Sequence, residues 1–166
     1  MQNVVLPTIS AIQEEIIEEF RTLEGDRERM LTYIMELGDR LAPMNERYKN
    51  EHNTIKGCMS KVWLHYTSKE GRLFFEGDSN TVITKGLISL LFRVLSGQEI
   101  EDIIHTSLYF VGKIGMTQLI GFQRSSGFAN MVREMKLIAI AQKAMQDAER
   151  SITTNLNDHG RDNGKH

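Results

Sequence analysis

Cys58 is the residue best suited to covalent chemistry, because it is the only cysteine in the 166-residue chain. A single thiol forms neither an internal disulfide nor a Cys-x-x-Cys redox pair, so any covalent reaction must involve another molecule. A solitary cysteine is also often a small buried hydrophobic residue. The neighbouring Gly57 and the polar Ser60 weigh against that interpretation, and the pattern therefore predicts a reactive thiol that acts on a partner.

The residues around Cys58 indicate how a loop presents this thiol. Gly57 allows a tight backbone turn beside the sulfur, and Lys56 and Lys61 are candidates to stabilise a thiolate or attract a carboxylate on a partner. Loop lysines are usually only solvated, and Ser60 serves equally well as a structural turn residue. We therefore predict supporting roles for Gly57, Ser60 and Lys56, with the chemistry assigned to Cys58.

Other catalytic patterns are missing from the sequence. The five histidines include no HExxH motif and no spacing that pairs with Cys58, so no metal site is predicted. The sequence also has no P-loop, GxGxxG or GxSxG motif, and we expect no bound cofactor. A thiol hydrolase that uses His52 or His65 as its base is a minor alternative.

Composition and charge narrow the class of protein. The chain is 40% hydrophobic and 25% charged with a formal net charge of −2, which suits one compact domain and offers no basic surplus for nucleic acid. No apolar run of about twenty residues marks a membrane span. A lone cysteine suits a reducing compartment, so we expect a cytoplasmic protein that is monomeric on its own.

The first third of the chain predicts two amphipathic helices. Apolar residues recur at three- and four-residue spacing over 9–23 and again over 30–37. Gly25 and Gly38 are placed to end these helices in a left-handed conformation, and Asp26 is placed to cap the second. The short connection predicts a helical hairpin.

The hydrophobic period changes to two after a polar loop. Alternation over 62–67 and a second run over 72–76, joined by a turn at 68–71, predict a β-hairpin. A short strand at 52–55 would complete a three-stranded antiparallel sheet, because two strands alone are marginal. Cys58 would then lie in the bend between two strands.

The remainder of the chain is predicted to be helical. Gly77, Asp78 and Ser79 form a strand-to-helix turn, and Ser79 or Asn80 caps a core helix whose apolar residues span 82–95. A long helix follows with apolar residues between 128 and 145. We predict a single α+β domain over 1–150, with helices packed on one face of the small sheet, and a polar, disordered tail over 151–166.

Four segments resemble the SufE family and follow the order of that family. The most specific is the uninterrupted Gly-Cys-x-Ser-x-Val-Trp block at 57–63, and the others lie at 33–41, 77–87 and 124–131. The resemblance spans about residues 9–136 and implies a SufE/IscU-like fold. The chain departs from the family pattern at 119–123, where it reads Leu-Ile-Gly-Phe-Gln.

The resemblance implies a function for Cys58. Proteins of this family accept persulfide sulfur on one cysteine from a pyridoxal-phosphate cysteine desulfurase, stimulate that enzyme and pass the sulfur toward iron–sulfur cluster assembly. The implied partners are a SufS-like desulfurase and a downstream scaffold, and the protein is a carrier and activator rather than a free-standing enzyme. By alignment, Arg124 is expected to donate a structural hydrogen bond at a helix start. We expect Trp63 to anchor the core, and Asp78 and Ser79 are further structural or partner-contact candidates.

A lone cysteine also suits this chemistry, because a second nearby thiol would attack a loaded persulfide and leave a disulfide. Two alternatives stay open at this point. One is a CsdE-like carrier that serves another pathway, such as tRNA thiolation. The other is a non-covalent binding module with the same fold, whose function would survive replacement of Cys58 by serine.

Overall fold

The computed structural model describes residues 7–161, with side chains as far as residue 158. The elements in chain order are α1 (Ile9–Arg21), α2 (Arg27–Asp39), two short 3₁₀ turns (Glu46–Tyr48 and Glu51–Asn53), β1 (Val62–Lys69), β2 (Arg72–Ser79), α3 (Val82–Leu95), β3 (Gln98–Glu99), α4 (Ile100–His105), α5 (Phe110–Lys113), α6 (Met116–Ile120) and α7 (Phe122–Arg161). In the described part of the chain, no helix has the length and apolar character needed to cross a membrane.

The predicted β-hairpin is confirmed. Strands β1 and β2 pair antiparallel, with Val62 opposite Ser79 at one end and Lys69 opposite Arg72 at the other. The two-residue turn between them, Glu70 and Gly71, has φ values of 53° and 76°. Positive φ at both positions is what a type I′ turn requires, and this turn matches the natural twist of the strands.

The third strand is not where the sequence placed it. Strand β3 pairs with the start of β2, Glu99 opposite Arg72, and completes an antiparallel sheet of order β1-β2-β3. The prediction of a strand at 52–55 is wrong, because residues 51–53 form a 3₁₀ turn and Thr54 makes an isolated bridge to Trp63. The Asn50 side chain caps that turn, and such local hydrogen bonds compete with a sheet ladder. The α+β class with a three-stranded sheet is confirmed.

Helix α3 lies at the centre of the core. Residues Val62, Leu64, Leu73 and Phe75 are buried on one face of the sheet, and α3 packs with β2 on one side and α2 on the other. The large buried apolar residues of α3 that fill the core are Leu87, Ile88, Leu90, Leu91, Val94 and Leu95.

Two glycines set the contact between α2 and α3. A Cβ added to Gly86 would lie 1.9 Å from the Ile34 carbonyl oxygen, and one added to Gly38 would lie 2.2 Å from the Val82 carbonyl oxygen. The backbones of the two helices therefore touch directly. The predicted role of Gly38 as a left-handed helix end is wrong, because it lies inside α2 and its missing side chain admits α3. Gly25 does have the expected positive φ, 70°.

The last helix is longer than the sequence indicated. The domain boundary predicted at residue 150 does not coincide with a break, because α7 continues to Arg161. Residues 151–161 contain no proline, and the hydroxyls of Ser151, Thr153 and Thr154 donate to backbone carbonyls four residues earlier within the helix. The predicted tail thus begins as helix, and residues 162–166 lie outside the described part of the chain.

Candidate functional site

The Cys58 loop, residues 55–61, runs between the bridge at Thr54 and strand β1 and lies against the start of α7. Cys58 is half-buried, and its thiol donates to the Gly127 carbonyl oxygen at an Sγ···O distance of 3.5 Å. A Cβ on Gly127 would lie 3.5 Å from Sγ, in ordinary van der Waals contact. The sulfur therefore rests on the surface of a helix and not beside a neighbouring strand.

A backbone anchor fixes the residue before Cys58. Gly57 has φ of 81°, a conformation that favours glycine, and its carbonyl oxygen accepts a hydrogen bond from Asn130 Nδ2 at 3.0 Å. A Cβ at Gly57 would lie 2.5 Å from the same nitrogen. Glycine is thus required here both by the backbone and by the close approach of α7.

Three hydroxyl groups tie the other end of the loop to α3. Thr81 Oγ1 donates to Thr84 Oγ1 at 2.8 Å, Thr84 Oγ1 donates to Ser60 Oγ at 3.2 Å, and Ser60 Oγ lies 2.9 Å from Thr81 Oγ1. Each hydroxyl can donate one bond and accept one in this ring, an arrangement whose members polarise one another. Ser60 therefore holds the Cys58 loop on the first turn of α3.

The connection from β2 to α3 differs from the prediction: the turn predicted at 77–79 is wrong, because β2 continues through these residues. Thr81 takes the N-cap position, so the assignment of Ser79 or Asn80 as the cap is wrong. Asn80 Oδ1 instead accepts from the backbone amide of Lys61 at 3.0 Å, and the buried Ser79 accepts from the Thr81 amide at 3.4 Å. Both residues shape the turn that carries the hydroxyl ring.

The recess beside the sulfur is small and mixed in character. Its free volume is about 10 Å³, enough for roughly one water-sized group. Its walls come from the loop, α3 and α7: Cys58, Met59, Ser60, Thr84, Leu87, Gln123, Arg124, Gly127, Phe128 and Met131. The resting loop thus nearly fills the space into which the thiol points.

Burial raises the pKa of the Cys58 thiol above its ordinary value. The two lysines proposed to stabilise a thiolate do not offset this, since Lys56 is exposed and Lys61 Nζ lies over the Trp63 ring, 5.8 Å from its centroid. The resting thiol is therefore protonated at neutral pH and a weak nucleophile.

Comparison with known proteins places the chain in a family. A family model described as SufE, Fe-S metabolism associated domain, matches residues 14–139, a span that includes the Cys58 loop and the helix against which it rests. The chain belongs to the SufE family. The predicted family resemblance is confirmed by this match.

Individual relatives agree with the SufE assignment. SufE-like protein 1, chloroplastic/mitochondrial, of Arabidopsis thaliana is 30% identical over 128 residues, which are 76% of this chain and 34% of that protein. The chain thus spans about a third of the length of that relative. An uncharacterized SufE-like protein of Rhizobium meliloti strain 1021 is 34% identical over 128 residues, which are 74% of this chain and 91% of that protein.

A solved structure shares the fold of this SufE-family chain. The solution structure of a hypothetical protein from Thermus thermophilus superimposes with a TM-score of 0.66 at 16% identity, over 81% of this chain and 96% of the other. At that identity the likeness concerns the fold alone.

Trp63 and Asp78 form a separate cluster on the SufE-family sheet. They face each other in the β1–β2 pairing, and Trp63 is half-buried rather than part of the core, with Lys49 Nζ 5.9 Å from its ring centroid. Burial alone would raise the pKa of Asp78, but hydrogen bonds from Lys49 and the Ser79 amide, with the nearby Lys85, hold it below its ordinary value. None of Trp63, Asp78 and Ser79 is among the described residues that line the Cys58 recess.

Arg124 does reach the recess. It lies in the first turn of α7, is exposed and donates to the Ile120 carbonyl oxygen at 3.5 Å, which links α6 to α7. Among the sequence candidates, the structure therefore brings Gly57, Ser60 and Arg124 together with Cys58. It places Lys56 on the surface with no role in the resting site.

The residues that hold the loop in place were not predicted from the sequence. Gly127 and Asn130 fall inside the segment 124–131, and Thr84 falls inside 77–87, both of which match the family pattern. A signal was therefore present, but spacing alone did not connect these segments to Cys58. In the described part of the chain, no group of three His, Cys, Asp or Glu residues is arranged to hold a metal ion.

The raised pKa gives a direct prediction for the free protein. Alkylation of Cys58 by iodoacetamide at neutral pH is expected to be slower than that of a free thiol, and its rate should continue to rise with pH beyond the range in which an ordinary cysteine has fully ionised. The pKa of Cys58 is raised and not lowered because burial favours the neutral thiol over the charged thiolate. The measurement is the pH–rate profile by mass spectrometry, with glutathione as reference; a profile that levels off together with glutathione would contradict the buried, protonated state.

Proposed function

We propose that this SufE-family protein accepts a sulfur atom from a cysteine desulfurase as a persulfide on Cys58 and passes it toward iron–sulfur cluster assembly. The observation that carries the proposal is the lone cysteine held in an anchored loop, half-buried against Gly127. The position of this loop within the SufE family match supports the same function.

The proposed transfer balances without an added oxidant or reductant. The Cys58 thiolate attacks the outer sulfur of the desulfurase persulfide, a new S–S bond forms on Cys58, and the donor S–S bond breaks. The electron pair of that bond leaves with the donor sulfur as a thiolate. The pyridoxal phosphate of the desulfurase generates the persulfide on the donor, and this chain supplies the acceptor sulfur alone.

The loop must leave its resting place for this reaction, because the recess has space for only about one water-sized group. The Asn130–Gly57 bond and the hydroxyl ring hold it, and net hydrogen bonds of this kind stabilise by about 1 kcal/mol each. The thiol–Gly127 contact is weaker, because S–H is a weak donor. A docking partner can supply that much free energy. Released into solvent or into a polar donor site, the thiol loses the burial that raises its pKa.

Two exposed apolar side chains, one in the Cys58 loop and one at the start of α7, support docking at these elements. Met59, next to Cys58, is 66% exposed and Phe122, at the start of α7, is 83% exposed. A partner that covered these two side chains would remove their apolar surface from water, which favours association. A desulfurase that covers both would contact the loop and the helix from which the loop must separate.

The test is the intact mass of the protein after incubation with a matched cysteine desulfurase and cysteine. A mass gain of one or more sulfur atoms, removed by reductant and absent from Cys58→Ser, is the expected result. Serine preserves the size of the side chain and its ability to donate to Gly127, so the control removes the nucleophile and little else. The absence of any gain would overturn the proposal. If Cys58→Ser still stimulated the desulfurase, the fold would act as a non-covalent binding module.

A further inference from the structure

Helix α7 has two apolar faces, and only one of them packs on the domain. The inner face is buried in the core through Phe128, Met131, Met135 and Ala139. The other face lies roughly 115° around the helix at 100° per residue. We call it the outer stripe, and its members are Leu137, Ala141, Met145, Ala148, Ile152 and Leu156.

The outer stripe is exposed along its whole length. The large residues Leu137, Met145, Ile152 and Leu156 are 47%, 56%, 61% and 69% exposed, and the two alanines are exposed as well. The stripe repeats every eleven residues, so that 137, 141 and 145 recur as 148, 152 and 156. Eleven residues complete about three helical turns, which keeps the stripe on one side of a nearly straight helix.

The end of α7 needs support that the domain does not give it. Every residue from 147 to 158 is exposed. Five of the seven residues over 151–157 are serine, threonine or asparagine, which have low helix propensity. An isolated helix of this length is marginal in water, and helices in proteins owe most of their stability to packing of an apolar face. The outer stripe is the apolar face available for such packing.

We propose that the outer stripe pairs with the same stripe of a second copy of this chain, in an antiparallel arrangement. The twofold axis then lies between positions 146 and 147, and Leu137 meets Leu156 of the partner subunit. Ala141 meets the partner's Ile152, and Met145 meets the partner's Ala148. Two of these three layers place a large side chain against a small one, which is how helices interdigitate closely.

The charge and the length of the outer stripe also fit a second copy of this chain. No member of the stripe is charged, so pairing buries no unpartnered ion, and the stripe extends over about 20 residues or roughly 30 Å. That length corresponds to about three heptads, which is comparable to the extent of apolar repeat that indicates a coiled coil. The proposal is independent of the chemistry at Cys58 and differs from the monomer expected from sequence alone.

The first test is sedimentation of the full-length protein over about a hundredfold concentration range, because a dimer dissociates on dilution. Wild type is expected to sediment as a dimer at the highest concentrations and to shift toward a monomer on dilution. Ile152→Glu places a charge in the stripe and should weaken the dimer at least about tenfold. The matched control is Thr154→Glu, two residues further on and on the far side of the helix, which should leave the dimer intact. A monomer at every concentration, or equal effects of both variants, would overturn the proposal.

The second test examines orientation and uses the absence of other cysteines. In a Cys58→Ser background, the double variant Leu137→Cys/Leu156→Cys should form intermolecular disulfides on mild oxidation, because the antiparallel pairing brings these positions together. The single variant Leu156→Cys should not form this disulfide, because the antiparallel pairing keeps the two copies of position 156 apart. Efficient cross-linking of that single variant would show a parallel arrangement and overturn the antiparallel pairing.

Discussion

Replacing Gly86 with alanine is expected to lower the free energy of unfolding by about 3 kcal/mol. The added methyl group would lie 1.9 Å from the Ile34 carbonyl oxygen and 2.6 Å from Ile34 Cγ2, so α2 and α3 must separate. The closest contact is with the backbone of Ile34, so rotation of a side chain cannot relieve it. Denaturant unfolding followed by circular dichroism measures the effect, with the slope of the transition checked for equality between variants.

Gly112→Ala is the matched control for this prediction. Gly112 is also helical and has nothing within 4 Å of an added Cβ. Alanine there should leave stability unchanged or raise it by up to about 1 kcal/mol, since alanine is the better helix former. If Gly86→Ala unfolded at the same denaturant concentration as Gly112→Ala, the close approach of α2 and α3 would be refuted.

Replacing Gly57 with alanine is expected to make Cys58 about tenfold more reactive toward iodoacetamide at neutral pH. The positive φ of 81° costs an alanine about 1–2 kcal/mol, and the new methyl group would lie 2.5 Å from Asn130 Nδ2. The loop relieves the backbone strain and the clash by moving away from α7. A destabilisation of the resting loop by 1.4 kcal/mol raises the ratio of released to resting loop tenfold. The measurement is the alkylation rate at fixed pH.

Two further variants separate loss of the α7 anchor from backbone strain. Asn130→Ala removes the hydrogen bond to the Gly57 carbonyl oxygen and introduces no strain, so its alkylation rate should lie between those of wild type and Gly57→Ala. Gly71→Ala introduces the same kind of strain in the β1–β2 turn, where φ is 76° and nothing lies within 4 Å of a Cβ. It should cost stability without a change in the alkylation rate. An unchanged rate in Gly57→Ala would show that α7 does not hold the loop.

Local sequence signals predicted those parts of the fold that local interactions determine. The β-hairpin follows from alternation and a two-residue turn, all within 18 consecutive residues, 62–79. The third strand did not follow, because β3 has two residues and no alternation to detect. It is held by groups distant in sequence, as where the amide of Gly97, just before β3, donates to the Leu73 carbonyl oxygen at 2.6 Å.

The difference between local and distant interactions also decides what could be predicted of the Cys58 site. Cys58 was identifiable because its chemistry resides in one residue and one short motif. The contact of Cys58 with Gly127 and that of Gly57 with Asn130 bridge sequence separations of 69 and 73 residues, which no helical or strand period reveals. The exposed position of Lys56 agrees with the expectation that loop lysines are usually only solvated.

The anchors of the Cys58 loop also set how tightly any partner that needs the free loop can bind. If only a fraction of molecules has the loop released, the apparent dissociation constant of such a partner equals its intrinsic value divided by that fraction. The bond from Asn130 to Gly57 and the hydroxyl ring at Ser60 lower this fraction and so weaken the complex. The hydrogen bonds that shield the thiol in the free protein therefore lower the apparent affinity of such a partner, which suits the proposed carrier because it would have to leave one partner to reach the next.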